Sequence, residues 1–268
     1  MKLARAVAVT LCLVQFGVLL GACSASRKTA HPTPGSSASA APAAGTLVIL
    51  ASTQLKPAFD QLETQFAAAN PGSTATATYQ GSQALATTVQ AGAQGDLFAT
   101  DADPIAALSA AGAVVTTTVQ TFARNELEIV VPVGNPKGIQ GLQDLANPGM
   151  TVVLPDPSLL AGKDAVKALA LAGVRVTPKA SVSTVAQLIT SVLSGNADAG
   201  IAFHSDVVSG GSGVTGVALP AGNPVEETYR IGVLRNAANP AAASAFVQFV
   251  RSERGRAILA AAGFLPAD

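Results

Sequence analysis

The 268-residue sequence has no tryptophan, two cysteines and two histidines, and only 12% of its residues are charged and 4% aromatic. Both cysteines, Cys12 and Cys23, lie near the start, and beyond His31 the one histidine is His204. A Cys/His metal cluster is therefore excluded. One histidine leaves little for Ser-His-Asp catalysis, and neither a G-x-S-x-G motif nor a Walker-type phosphate loop is present.

The chain also lacks an excess of positive or negative charge. Sixteen basic and sixteen acidic residues give a net charge of zero, so the basic surface that nucleic-acid binding requires is not expected, and we predict no nucleic-acid partner. Hydrophobic residues make up 49% of the chain, which is enough for a substantial core. Because aromatic residues are few, Ala, Val and Leu must fill most of that core.

The N-terminal segment has the layout of a secretory signal. Lys2 and Arg5 precede the apolar run Ala6–Leu20, which is too short to span a membrane. The run ends in LGAC, which resembles a bacterial lipobox and implies cleavage before Cys23 and lipidation of that residue. Cys12 would be removed, so the mature chain would contain no disulfide.

We therefore predict a lipoprotein signal peptide at residues 1–22. Residues 23–45, rich in Ala, Ser, Pro and Thr, are predicted to be a lipid-anchored flexible linker. The expected location is extracytoplasmic and anchored to the cell membrane, either on the outer face of the cytoplasmic membrane or in the periplasm.

From residue 46 onward, apolar strands alternate with amphipathic helices, as in α/β proteins. The predicted strands are 46–51, 74–79, 96–100, 126–132, 151–154, 199–203, 214–219 and 228–234. Helices are predicted between most of them, including 161–172 with Val166, Leu169 and Ala170 facing inward, and a helix capped by Ser183. This order predicts mixed, mainly parallel sheets with helices on both faces.

Two consecutive α/β units with a long-range return indicate two lobes. We predict crossings near residues 122–125 and 204–208, so that residues 46–123 and 205–268 form lobe 1 and residues 124–204 form lobe 2. A single large α/β domain is the structural alternative.

Four segments place the end of a strand or loop directly before a helix: Ser52-Thr53, Ser82, Ala161-Gly162 and Ser183–Val185. Each helix start presents unpaired N–H groups and the positive end of the helix dipole. Ser52 and Ser82 add hydroxyl donors. If these segments converge, the site has many donors and no formal positive charge, which suits an oxyanion that stays ionised at physiological pH.

Several long motifs resemble those of periplasmic molybdate-binding proteins of ABC importers, which are type II solute-binding proteins. In chain order they are VILAS, YQGSQALATTVQAGAQGDLFATDAD, EIVVPVGNP, LPDPSLLAGKDAVKAL and SVSTVAQLITSVLSGNADAGIAFHSD. The resemblance implies a two-lobed fold with a hinge. It also implies a monomer that binds molybdate or tungstate and delivers it to the membrane permease of an ABC importer. It implies no enzyme activity, no cofactor, and molybdenum only within the bound oxyanion.

The resemblance also assigns residues to the anion site. Ser52 and Ser82 match the two serine ligands, and Ala161 and Val185 match the positions that donate backbone N–H groups. The fifth family position is usually a tyrosine, and here it is Phe203. Three alternatives stay open: a lipoprotein that binds another oxyanion such as sulfate, an extracytoplasmic enzyme, and a purely structural surface lipoprotein.

Other polar residues near these motifs have simpler explanations. Strand alternation points His204 away from the side of Phe203, in a solvated or structural role. Lys163 is expected to face solvent. Asp101 and Asp103 are expected to cap the helix that begins near Pro104.

Overall fold

A mixed sheet of nine strands runs through the structure, a computed structural model that describes residues 44–220 and 225–267. The strands are β1 (Gly45–Ser52), β2 (Ser73–Gln80), β3 (Leu97–Asp101), β4 (Gln120–Pro132), β5 (Val152–Pro155), β6 (Ala180–Val182), β7 (Ala199–Phe203), β8 (Val214–Ala218) and β9 (Glu226–Val233). The predicted signal peptide, Cys23 and nearly all of the predicted linker lie outside the described residues.

Eight α-helices accompany the strands in the described part of the chain. They are α1 (Lys56–Ala69), α2 (Ser82–Gln90), α3 (Ala102–Ala110), α4 (Leu160–Leu171), α5 (Val185–Leu193), α6 (His204–Ser209), α7 (Pro240–Arg251) and α8 (Glu253–Ala261). None of the helices within residues 44–220 and 225–267 combines the length and hydropathy needed to cross a membrane.

The first lobe is built on the parallel strands β2, β1 and β3, followed by antiparallel β9 and the first half of β4. Helices α1, α7 and α8 pack on one face, and α2 and α3 contribute to a separate core on the other. The predicted apolar stripe of the first helix is confirmed, since Leu55, Phe59, Leu62 and Phe66 are all buried. Four phenylalanine rings pack against one another in this core, which compensates for the small size of the many alanines.

The second lobe contains the second half of β4, flanked by antiparallel β7 and β8, with β5 and β6 parallel to β7. Helix α4 packs on one face of this sheet, and α5 and α6 pack on the other. The inward residues of α4 are Ala161, Ala165, Ala168 and Leu169. The prediction that Val166 and Ala170 face inward is wrong: Val166 is half exposed, because the alanine stripe allows α4 to lie close to the sheet.

Strand β4 belongs to both lobes. Its residues 120–126 pair with β9 in the first lobe, and residues 127–132 pair with β7 and β8 in the second. The chain crosses back to the first lobe later than the predicted residues 204–208. Strand β8 pairs with the second half of β4, and Val214 and Val217 pack in the second-lobe core. Strand pairing therefore corrects the assignment of residues 205–218 from lobe 1 to lobe 2, and the chain returns between β8 and β9.

Candidate functional site

Two serines lie at the carboxyl edge of the first lobe. Ser52 ends β1 and is opposite Gln80, the last residue of the parallel neighbour β2, while Ser82 begins α2 two residues later. Both Oγ atoms are buried, and neither has a hydrogen-bond partner among the described residues. Buried polar groups are nearly always hydrogen-bonded. Two unpartnered hydroxyls at one sheet edge therefore indicate a place for an external acceptor.

The second lobe contributes backbone donors at its own carboxyl edge. Ala161 is the second residue of α4, after β5, and Val185 is the first residue of α5, after β6. The first N–H groups of a helix have no intrahelical acceptor, so both residues have an N–H available. Thr184 rather than the predicted Ser183 caps α5, because the Thr184 hydroxyl accepts from the Gln187 N–H at 3.3 Å.

Close packing sets the position of the α4 N-terminus. A Cβ atom added at Gly162 would lie 2.0 Å from the backbone oxygen of Asp156 and 2.7 Å from that of Pro155. A glycine is therefore required where the start of α4 touches the segment that leaves β5. Ala161 is fully buried in the second-lobe core, so its backbone N–H, not its side chain, is the group available to a ligand.

Phe203 ends β7, whose parallel neighbour is β5, and its ring is fully buried in the second-lobe core. The next residue, His204, begins α6, and its Nδ1 atom lies 3.1 Å from Oε1 of Glu128. Glu128 and His204 contact each other on the other face of the sheet, since Glu128 alternates with the core residues Leu127 and Ile129. The His204 Nδ1 atom is thus next to a carboxylate, on the face of the sheet opposite the Phe203 ring.

The carboxyl edges of the two lobes face each other. Helix α3 follows β3, the parallel neighbour of β1, and its Asp103 side chain lies 3.7 Å from Nζ of Lys163 at the start of α4. Lys163 is half exposed, as predicted, but it pairs with Asp103, which was expected to cap α3. This contact brings the start of α4 close to the start of α3. A cleft between the lobes, with the two serines on one side and the α4 N-terminus on the other, is the arrangement that we predict.

Polar residues that the sequence did not reveal lie where the two lobes join, and one hydrogen bond among them links the lobes. The Asn125 side chain in β4 donates to Oγ of Ser205 at 2.8 Å. Asp101 occupies the N-cap position of α3, but its carboxylate accepts from the Thr100 hydroxyl at 2.9 Å and makes no capping hydrogen bond, which corrects the predicted role. The register of β3 and β9, which places Asp101 opposite Tyr229, brings these polar groups together. No local sequence motif predicts this register.

Two groups close to these residues, Asp206 and Tyr229, have shifted pKa values. Burial raises the pKa of Asp206 to about 6, although the Phe203 N–H, which donates to its carboxylate at 3.1 Å, partly offsets the shift. Burial also raises the pKa of the Tyr229 hydroxyl, and the nearby carboxylates of Asp206 and Asp101 add to the effect. The junction of the lobes is therefore rich in acidic groups, whereas the cleft edges offer mainly donors.

This arrangement supports binding of an anion by neutral donors. The predicted residues supply hydroxyl and N–H groups at helix starts, where the helix dipole also favours negative charge. Within the described residues, no group of three or more His, Cys, Asp or Glu side chains is arranged to hold a metal ion.

Residues 47–265 match the family of bacterial extracellular solute-binding proteins, and the chain belongs to this family. Its fold is the two-lobed α/β fold of periplasmic binding proteins. The chain is 34% identical over 248 residues to molybdate-binding protein ModA of Mycobacterium tuberculosis and of Mycobacterium bovis, and the match covers 92% of each chain.

Two solved structures show the same fold. The periplasmic molybdate-binding protein of Azotobacter vinelandii superposes with a TM-score of 0.69 at 19% identity and covers 82% of this chain and 98% of its own. The sulfate-binding protein SubI of M. tuberculosis also has a TM-score of 0.69, at 21% identity, with 83% and 87% coverage. The fold is thus shared by proteins named for different oxyanions.

Proposed function

We propose that this protein captures molybdate or tungstate between its two lobes and delivers it to the membrane permease of an ABC importer. The observation that carries the proposal is the pair of buried, unpartnered hydroxyls of Ser52 and Ser82 at one edge of the cleft. The 34% identity to proteins named molybdate-binding protein, over 92% of both chains, supports the choice of anion.

The donor set explains why a fully ionised anion fits. Ser52, Ser82 and the N–H groups of Ala161 and Val185 can all donate at once to a fully ionised anion, and the set includes no carboxylate to accept a proton from a protonated one. Hydrogen bonds to a charged group stabilise a complex by about 1.5–3 kcal/mol each. A few such bonds compensate for the loss of water around a dianion without a buried lysine or arginine.

Sulfate is the competing ligand, because a sulfate-binding protein has the same fold and the same TM-score. Phe203 also lacks the hydroxyl that the molybdate-binding resemblance leads one to expect. Calorimetric titration of the anion-free protein with molybdate, tungstate, sulfate and phosphate distinguishes these ligands. We expect molybdate and tungstate to bind more tightly than sulfate, and tighter sulfate binding would reverse the assignment.

We further propose that the lobes close around the anion by bending at β4 and at the return between β8 and β9, as in hinged domain closure. X-ray scattering with and without saturating molybdate measures this change. A smaller radius of gyration in the presence of the anion is expected. Identical profiles would contradict closure but would not affect the proposed ligand.

The proposed mature protein begins at Cys23, is held on the extracytoplasmic side of the membrane by lipid on that residue, and is a monomer. One acyl chain anchors a protein only weakly, so stable attachment requires more than one chain. Mass spectrometry of the membrane fraction tests the anchor, and an unmodified Cys23 would exclude it. Light scattering of the soluble domain tests the monomeric state.

A further inference from the structure

Two adjacent residues of helix α4 in the second lobe, Lys163 and Asp164, meet acidic side chains of the first lobe. Lys163 pairs with Asp103 at 3.7 Å, and both of these side chains are more than half exposed. The next residue, Asp164, is 1% exposed, both of its carboxylate oxygens are buried without a hydrogen-bond partner among the described residues, and its neighbour from the first lobe is the Glu227 carboxyl group in β9. An exposed ion pair contributes little to stability, so the buried carboxyl pair is the distinctive feature of this contact.

The surroundings of the pair give it no fixed counter-ion at close range. Among the described residues, no hydrogen-bond donor reaches either oxygen of Asp164. The two lysines that influence Asp164 lie on α4 itself, and Lys163 is drawn toward Asp103. The ionisable groups around the pair are Asp101, Asp103, Lys163, Lys167, Asp206 and Tyr229.

Two ionised carboxylates cannot hydrogen-bond to each other, because neither has a hydrogen to donate. A hydrogen bond between Asp164 and Glu227 therefore requires one shared proton. Burial, followed by the charge of Asp164, raises the pKa of Glu227 to about 8, and burial also raises the pKa of Asp164. The pair then holds a proton at neutral pH and loses it in mildly alkaline solution.

We propose that Asp164 and Glu227 form a proton-binding site that joins the two lobes, and that capture of the anion is coupled to retention or uptake of this proton. The inference rests on the proposed function. Asp164 lies one helical turn beyond Ala161, so a dianion held at the α4 N-terminus places further negative charge near the pair. Since coupling is reciprocal, the proton strengthens anion binding as much as the anion strengthens proton binding.

Opening and closing of the cleft would also couple anion capture to proton binding by the pair. Separation of the lobes exposes both carboxyl groups to water, which lowers their affinity for a proton toward ordinary values. The closed, anion-bound form therefore binds more protons than the open form. It follows that closure is favoured at lower pH, and that this advantage decreases as pH rises through the range where the pair ionises.

Calorimetric titration with molybdate in two buffers of different ionisation enthalpy measures the protons exchanged. For the parent protein we expect uptake of a fraction of a proton and an affinity that falls between pH 7 and 9, by at most about tenfold per pH unit for one linked proton. Glu227→Gln keeps the shape of the protonated acid and offers Asp164 a donor. This variant should show no proton uptake and a flat pH profile.

Glu226→Gln is the matched control, because Glu226 is adjacent in β9 but is exposed and paired with Arg124 at 3.0 Å. It should behave like the parent. Molybdate binding without proton uptake, or uptake that persists in Glu227→Gln, would overturn the inference and leave the proposed function intact. Failure of both parent and control to bind molybdate would overturn the proposed function and the coupling with it.

The carboxyl ¹³C resonance of Glu227 in the anion-free protein supplies a second, independent measurement. We expect it to titrate well above the range of an exposed glutamate, and to move to still higher pH when molybdate is added. An ordinary titration in both states would refute the proton site.

Discussion

Removal of the Ser52 hydroxyl should change stability and affinity in opposite directions. The Ser52 side chain is fully buried and its Oγ atom has no partner among the described residues. An unsatisfied buried polar group destabilises the folded state by about 1–3 kcal/mol. Ser52→Ala removes this cost from the anion-free protein, and about 1 kcal/mol corresponds to a rise of roughly 2–4 °C in the unfolding midpoint for a domain of this size.

Anion binding should respond in the other direction. A hydroxyl that donates to a charged oxygen contributes about 1.5–3 kcal/mol, so Ser52→Ala should weaken molybdate binding roughly 10- to 150-fold. Ser82→Ala should do the same, since its Oγ atom is also buried without a partner. The backbone donors survive either substitution, so binding should weaken without being abolished.

The assay combines calorimetric titration with thermal unfolding of the anion-free protein. Ser244→Ala is the control, because Ser244 is an exposed helix residue whose hydroxyl donates to the Pro240 carbonyl at 2.8 Å. Neither affinity nor stability should change appreciably in that variant. If both cleft variants bind molybdate as tightly as the parent, the ligand assignment is wrong. A lower unfolding midpoint for Ser52→Ala would show that its hydroxyl has an internal partner.

Three further substitutions test other parts of the argument. Phe203→Tyr should tighten molybdate binding but lower the stability of the anion-free protein, because the hydroxyl added to a fully buried ring finds its acceptor only in the anion. Calorimetry measures the affinity and thermal unfolding measures the stability. Weaker binding would contradict the assigned position of residue 203. Gly162→Ala should displace the start of α4 and reduce both stability and affinity. Gly255→Ala in α8, where a Cβ atom would lie 2.3 Å from two backbone oxygens of α7, should reduce stability alone. Equal affinities in the two variants would argue against a role for the α4 N-terminus. Asp206→Asn should gain stability relative to the parent as pH rises from about 4 to 6, and the difference should be constant above that range. The reason is that the folded parent binds more protons than its unfolded chain until pH passes the raised pKa of Asp206, about 6. A pH-independent difference in unfolding midpoints would refute the assigned pKa shift.

Local patterns in the sequence were sufficient for most elements and for the class of fold. Apolar runs and helical periodicity predicted β1, β7 and the stripe of α1, because burial of one face imposes a repeat that does not depend on distant residues. They missed the first half of β4, whose polar residues pair with β9 at a separation of about one hundred residues. They also missed the short elements β6 and α6, which neighbouring segments stabilise.

By itself the sequence determined the candidate donors, namely the hydroxyl groups of Ser52 and Ser82 and the helices that begin near Ala161 and Val185. Only the tertiary structure decided that β8 belongs with the second lobe, that Lys163 pairs with Asp103, and that Asp164 meets Glu227. The physical reason is that helix starts and apolar stripes follow from interactions over a few residues. Contacts between lobes depend instead on strand register and helix packing between segments far apart in the chain, which no local pattern records.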